Sequence, residues 1–232
     1  MDELIDFTSA DLYEKLKWDD ENFIACLQHL KLLFGNTRPC VCGGKMTIRP
    51  VKAGRRYGNY RCTTKDCRKE KGFLTDTFFE GAHLELKEIF QLSYFWCFEM
   101  SSHKLLQFQM KRADHTTIGE HTLVDYKDFL RDVCVEYFVR NPIRIGGEGC
   151  RVQIDEAFVT KRKYNKGRLV NEAVMIFGGI EEETGECFIW PMERRDSETL
   201  LALIQKYIMP GTTIISDCWR AYGGIANLPE GY

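Results

Sequence analysis

Hydrophobic positions change their period along the chain, and each change predicts a different element. Between Trp18 and Phe34, apolar residues recur at Phe23, Leu27, Leu30 and Phe34. That spacing is one face of a helix, with Asp19 or Asp20 as its cap and Gly35 as its stop. Between Leu84 and Phe138 the helical period returns in three stretches. Leu86, Ile89, Phe90, Ser93, Tyr94 and Cys97 form the first stripe. Ser101 or Ser102 then caps a helix through Leu105, Leu106 and Phe108, and Asp114 or Thr116 caps a third through Ile118, Leu123, Tyr126, Leu130 and Val133. Three helices with a short polar turn predict a helix-turn-helix.

After Asn141-Pro142 and the Gly146-Gly147-Glu148-Gly149 linker the period becomes two. Val152 and Ile154 face one way while Gln153 and Asp155 face the other. Val174, Ile176 and Phe177 lead to Gly178-Gly179 as a second strand, and Phe188, Ile189 and Trp190 make a third. Asp196-Ser197 opens a helix carrying Leu200, Leu201, Ile204, Tyr207 and Ile208. Pro210-Gly211 ends it before a short buried strand from Thr212 to Ser216. The order is β-β-β-α-β. In a meander followed by a crossover helix the fourth strand lies beside the first. That arrangement brings together Asp155 and Asp217, each at a strand end. Glu156 shares the face of Val152 and Ile154, so Asp155 is the better ligand of the two. Two carboxylates converging at neighbouring strand ends supply hard oxygens for Mg²⁺ held against a phosphate.

Composition adds a second candidate site. Ten cysteines occur, and four of them cluster as Cys40-Val-Cys42 and Cys62-Thr-Thr-Lys-Asp-Cys67. Four thiolates on two short turns make a closed tetrahedral Zn²⁺ site, and Gly43 and Gly44 permit the turn that aims backbone amides at sulfur. A zinc ribbon over residues 36–75 follows, because so small and polar a segment has little core without metal. The other cysteines read as buried small apolar residues. No apolar run is long enough to span a membrane, and the N-terminus lacks a secretory signature, so a protein without a membrane partner is expected.

The net charge of −2 hides a segregation. Residues 1–35 carry eight acids against three lysines, and residues 36–75 carry eleven Lys or Arg against two acids. A basic block favours a polyanion, since neutralised phosphates release counterions. Arg38, Lys45, Arg49, Lys52, Arg55, Arg56 and Arg61 predict a ribbon that faces DNA, with Arg55 and Arg56 as contacts. Lys161, Arg162, Lys163, Lys166 and Arg168, without an intervening acid, predict a clamp on backbone phosphates after the first strand.

Five segments together resemble the Merlin-type DDE transposases and their bacterial insertion-sequence relatives. They are Gln153-Ile-Asp155-Glu-Ala-Phe, the basic run 161–168, Phe177-Gly-Gly-Ile180, Ser197-Glu-Thr-Leu200 and Ser216-Asp217-Cys-Trp219-Arg-Ala-Tyr222. The zinc ribbon, helical middle and strand order resemble that family too, from about residue 38 onward. The resemblance implies an RNase H-like catalytic domain, dependence on Mg²⁺ or Mn²⁺, and cut-and-paste movement of an element with terminal inverted repeats. It makes Asp155 and Asp217 the first two members of an acidic triad. It also implies a homodimer that pairs two DNA ends, acting in a nucleus if the source is eukaryotic, or in the bacterial cytoplasm and nucleoid.

The expected fold is therefore α+β and multidomain. An acidic helical leader (1–35) precedes a zinc ribbon (36–75), a helical DNA-binding segment (84–141) and a partial RNase H-like α/β domain (149–232). Nothing matches the family's third acidic residue, and Glu230 lies in a Pro-Gly turn too close to Asp217. The expectation is a fragment that is inactive alone. The alternatives are a co-opted, catalytically silent DNA-binding protein or an RNase H-like nuclease or resolvase.

Overall fold

The computed structural model describes residues 4–51, 54, 56–100, 102–159, 174–217 and 219–232. The fold is mixed α+β, with two four-stranded sheets and two compact units, 1–130 and 131–232. No helix among the described residues is long and apolar enough to cross a membrane.

The first unit opens with two helices where the hydrophobic period predicts one. Helix α1 (Ser9–Lys17) begins at a capping box in which Thr8 and Asp11 satisfy each other's backbone amides. Helix α2 (Asp20–His29) starts where Asp19 accepts from the Asn22 amide at 2.8 Å. It ends at His29, six residues short of Gly35. Phe23, Leu27 and Leu30 are buried, as their spacing requires.

Strands β1 (Thr37–Pro39), β2 (Lys45–Arg49), β3 (Asn59–Cys62) and β4 (Glu70–Gly72) form an antiparallel meander. Helices α3 (Leu86–Cys97), α4 (His103–Gln109) and α5 (Glu120–Arg140) follow. The stripe of α3 that reaches zero or near-zero exposure is Leu86, Ile89, Leu92 and Phe95, while Phe90 and Tyr94 flank it and Cys97 is exposed. Asp114 does not cap α5; its carboxylate closes a turn on Thr116, accepting from that amide at 2.9 Å. One core joins Leu12, Phe23 and Leu27 of the leader, Met46, Tyr60 and Cys62 of the sheet, and Ile89, Leu92 and Leu123 of the helices. The leader, the cysteine-bearing sheet and the helices thus share their burial. A small sheet with so few apolar positions gains most of its hydrophobic stabilisation from such neighbours.

Arg38 anchors that shared core. Although it belongs to the basic block, its side chain is 4% exposed and is paired with Asp76. It donates to the Thr75 carbonyl at 2.7 Å and lies 4.0 Å from the Phe34 ring centroid. A buried guanidinium needs these partners, since its charge is costly out of water.

The second unit is built on strands β5 (Arg151–Phe158), β6 (Met175–Glu181), β7 (Cys187–Met192) and β8 (Thr213–Ile215), in the order β7-β6-β5-β8. β5, β6 and β7 form the expected antiparallel meander, and β8 joins β5 in parallel after helix α6 (Ser197–Tyr207). Asp196 caps α6 through the Thr199 amide at 2.9 Å. Tyr207 of α6 stacks on Phe188 at 4.9 Å, which seats the helix on the sheet face of Val152, Ile154 and Phe177. β6 runs through Gly178-Gly179 without ending there. The glycines admit Phe188: a Cβ on Gly179 would stand 2.6 Å from its ring. Pro191 is tolerated in β7 because that strand lies at the sheet edge. A 3₁₀ helix (Arg220–Asn227) follows the last strand and buries Tyr222.

Candidate active site and metal centre

On β5 the exposed and buried positions alternate: Val152 and Ile154 are buried, while Gln153 and Asp155 are exposed on the opposite face. The parallel register pairs Gln153 with Ile215. That pair is the last of the ladder: β8 ends at Ile215 and Asp217 follows two residues later, while β5 continues through Asp155 to Phe158. Opposite Asp155 on the other side lies Gly178, which adds no side chain in front of it. Asp155, Asp217, Ser216, Gln153, Gly178 and Ile189 line one open depression of about 690 Å³.

Each aspartate is held by a nearby backbone amide, Asp155 within strand β5 and Asp217 just past the end of β8. Asp155 Oδ1 accepts the Glu156 amide at 2.8 Å, and Asp217 Oδ1 accepts the Trp219 amide at 3.2 Å. Among the described residues the Oδ2 atoms have no partner. Two exposed carboxylates with one oxygen tethered and one open are suited to a hard divalent cation, which takes oxygen ligands and keeps positions for water or phosphate. No third acidic side chain joins them among the described residues. Glu230 is occupied elsewhere, accepting from Gln205 Nε2 of α6 at 2.9 and 3.1 Å.

Beneath this pair lies Glu156, on the face of Val152 and Ile154 that strand alternation gives it. Glu156 turns to the covered face, where its side chain is 3% exposed and lies 3.6 Å from Arg195 Nη2. Arg195 in turn lies 4.1 Å from the Trp219 ring centroid. The Tyr222 hydroxyl is buried without a hydrogen-bond partner. Burial, then the side chain of Glu156 facing it, then the charges of Asp217 and Asp155, push its pKa well above the usual phenol value. The pairing of Glu156 with a residue 39 positions away is carried by no short-range pattern.

The second site is complete in itself. The Sγ atoms of Cys40, Cys42, Cys62 and Cys67 all lie within 4.8 Å of one another, with Cys40 to Cys67 at 3.7 Å and Cys42 to Cys62 at 3.6 Å. A tetrahedral ion about 2.3 Å from each sulfur places sulfurs about 3.8 Å apart, so the donor set fits a thiophilic metal. The Gly44 amide beside Cys42, followed by the neighbouring thiols, pulls that thiol down to about 6. Gly44 has no room for a side chain: a Cβ would stand 2.2 Å from Thr64 Oγ1 and 3.3 Å from Cys42 Sγ.

The basic residues divide sharply. Arg56 is paired with Glu85 at 2.9 Å, Arg61 with Glu70 at 3.7 Å and Lys71 with Asp76 at 2.5 Å. Lys45, Lys65, Arg68 and Lys69, around the cysteine turns, are exposed and have no ion pair among the described residues. Arg55, Lys161, Arg162, Lys163, Lys166 and Arg168 lie outside the described residues.

Residues 146–229 match the family model of the ISXO2-like transposase domain. The similarity supports a DNA transposase of the DDE type. It covers little more than a third of the chain, takes in both aspartates, and implies DNA as partner and a divalent metal. No curated protein and no solved structure matches the chain.

Proposed function

We propose that this chain belongs to the machinery of a cut-and-paste, Merlin-type or insertion-sequence DNA transposase. In this reading an RNase H-like unit carries the metal-binding aspartates, and a zinc-stapled first unit holds DNA. The observation that carries it is that Asp155 of β5 and Asp217, just past the end of β8, line the same open depression. The order β7-β6-β5-β8 with a crossover helix supports the fold assignment.

Bound divalent ions would supply Lewis acidity and an activated hydroxyl or water for displacement at a phosphodiester. Asp155 and Asp217 would hold them through the open Oδ2 atoms, while the Glu156 and Trp219 amides keep the carboxylates aimed outward. Gly178 leaves the approach to Asp155 bare, which lets a nucleic-acid backbone come close. Cys40, Cys42, Cys62 and Cys67 would hold Zn²⁺ as a structural ion. The run 161–168, the helical segment 84–141, and Arg55 and Arg56 are the proposed DNA contacts, and pairing of two DNA ends calls for a homodimer.

A second reading, a catalytically silent DNA-binding protein, is favoured by one observation: no third carboxylate reaches the aspartate pair among the described residues. Electron paramagnetic resonance of added Mn²⁺ separates the two. The transposase reading expects Mn²⁺ binding that Asp155→Asn and Asp217→Asn each abolish. Binding that survives both substitutions contradicts it.

A further inference from the structure

We propose that Glu156 and Arg195 are positioning residues that set the distance between Asp155 and Asp217, an inference that rests on the metal-binding reading above. A continuous set of contacts joins the two aspartates behind the sheet. The Glu156 amide holds Asp155 Oδ1 at 2.8 Å, and the Glu156 carboxylate faces Arg195 at 3.6 Å. The Arg195 guanidinium lies 4.1 Å from the Trp219 ring centroid, and the Trp219 amide holds Asp217 Oδ1 at 3.2 Å. Trp219 also meets Tyr222 edge to face at 5.8 Å.

The energetics of Glu156 argue against a purely stabilising role. Both of its oxygens are buried without a hydrogen bond, and its cationic partner stands 3.6 Å away and is itself 42% exposed. A buried carboxylate so poorly matched loses hydration without full compensation, and replacement of such ion pairs by neutral groups is often neutral or stabilising. What the pair does provide is a fixed seat for Trp219. That matters because β8 is three residues long and ends at Ile215, so Asp217 lies beyond the ladder that registers β8 on β5. Without the seat, the turn carrying Asp217 is held by its own local hydrogen bonds and by the 3₁₀ helix after it. A cation shared by two side chains is sensitive to small changes in their separation, and partners behind the ligands commonly govern affinity.

The test is Mn²⁺ titration of the full chain, read by the resonance of free Mn²⁺, in Glu156→Gln, Arg195→Met and Arg195→Lys, with Asp155→Asn as reference. Amide hydrogen exchange at Trp219 and the thermal midpoint are followed in parallel. Glu156→Gln and Arg195→Met are expected to weaken Mn²⁺ binding about 10- to 100-fold. The midpoint should hold or rise, the Trp219 amide should exchange faster, and Arg195→Lys should recover part of the affinity. Because Arg195 is partly exposed, its variants report even if Glu156→Gln does not fold. Affinity and exchange unchanged in Arg195→Met, with Asp155→Asn abolishing binding, would overturn the positioning role alone. Affinity unchanged in Asp155→Asn as well would overturn the metal-binding reading and this inference with it.

Discussion

The two sheets of this protein place their candidate ligands in opposite ways. In the cysteine-bearing sheet four sulfurs face one another, two of them on buried residues, and the donor set is closed. In the β7-β6-β5-β8 sheet the ligands are two exposed carboxylates at the rim of a depression, and the sheet has its own core of Val152, Ile154, Phe177 and Phe188 behind them. A closed set of soft donors serves the fold, whereas an open set of hard donors leaves room for a substrate. On the proposed reading, the contrast implies that stability and metal binding are coupled in the first unit and separable in the second.

The largest effect should come from the first unit. Cys62→Ala removes a buried ligand, and structural zinc in small domains is worth about 10 kcal/mol of folding free energy. Loss of stoichiometric zinc and of protease resistance in residues 1–130 is expected, with residues 131–232 still protected. Protection of the first unit unchanged in the zinc-free variant would break the contrast there. Next, Phe188→Ala in the second core should cost about 3–5 kcal/mol in chemical denaturation, because the ring packs on both Phe177 and Tyr207. Gly179→Ala should cost about 1–3 kcal/mol by crowding that same ring.

Asp155→Asn sharpens the comparison from the other side. Its stability change should stay within about 0.5 kcal/mol, since the residue is exposed and Asn still accepts the Glu156 amide, while metal affinity is lost. Smallest of all are the ribbon charges. Reversing Lys65 and Lys69, which are free of ion pairs among the described residues, should weaken DNA binding and reduce its salt slope by about 1 for each phosphate no longer neutralised. Arg56→Glu, in a residue already paired with Glu85, should change the slope less. Equal slopes for all three would place the DNA elsewhere.

Much of the second unit was legible because its signals are local. Alternation at Val152, Gln153, Ile154 and Asp155 states which face each side chain takes, and Pro210-Gly211 marks the entry to β8. The pairing of β8 with β5 follows from chain connectivity, and it puts Asp155 and Asp217 on the lining of one depression. What stayed hidden depends on partners remote in sequence. Nothing near Arg38 announces that Asp76 and Thr75 will bury it, so it reads as one more surface cation. Glu156 finds Arg195 only after the sheet and α6 have formed. Gly178-Gly179 reads as a strand end because their use, room for Phe188, comes from the next strand. Helix α1 is a different case: Thr8 and Asp11 spell a capping box, but nine residues with one buried side chain show little periodicity.

The central claim is that Asp155 and Asp217 serve one cation site. Paramagnetic broadening of backbone amide resonances by substoichiometric Mn²⁺ measures this most directly. The account predicts that amides at 153–156 and at 215–219 broaden together at the same Mn²⁺ concentration, and that Asp155→Asn or Asp217→Asn abolishes the effect at both places. Broadening confined to one stretch, or persisting at one when the other aspartate is replaced, would contradict it.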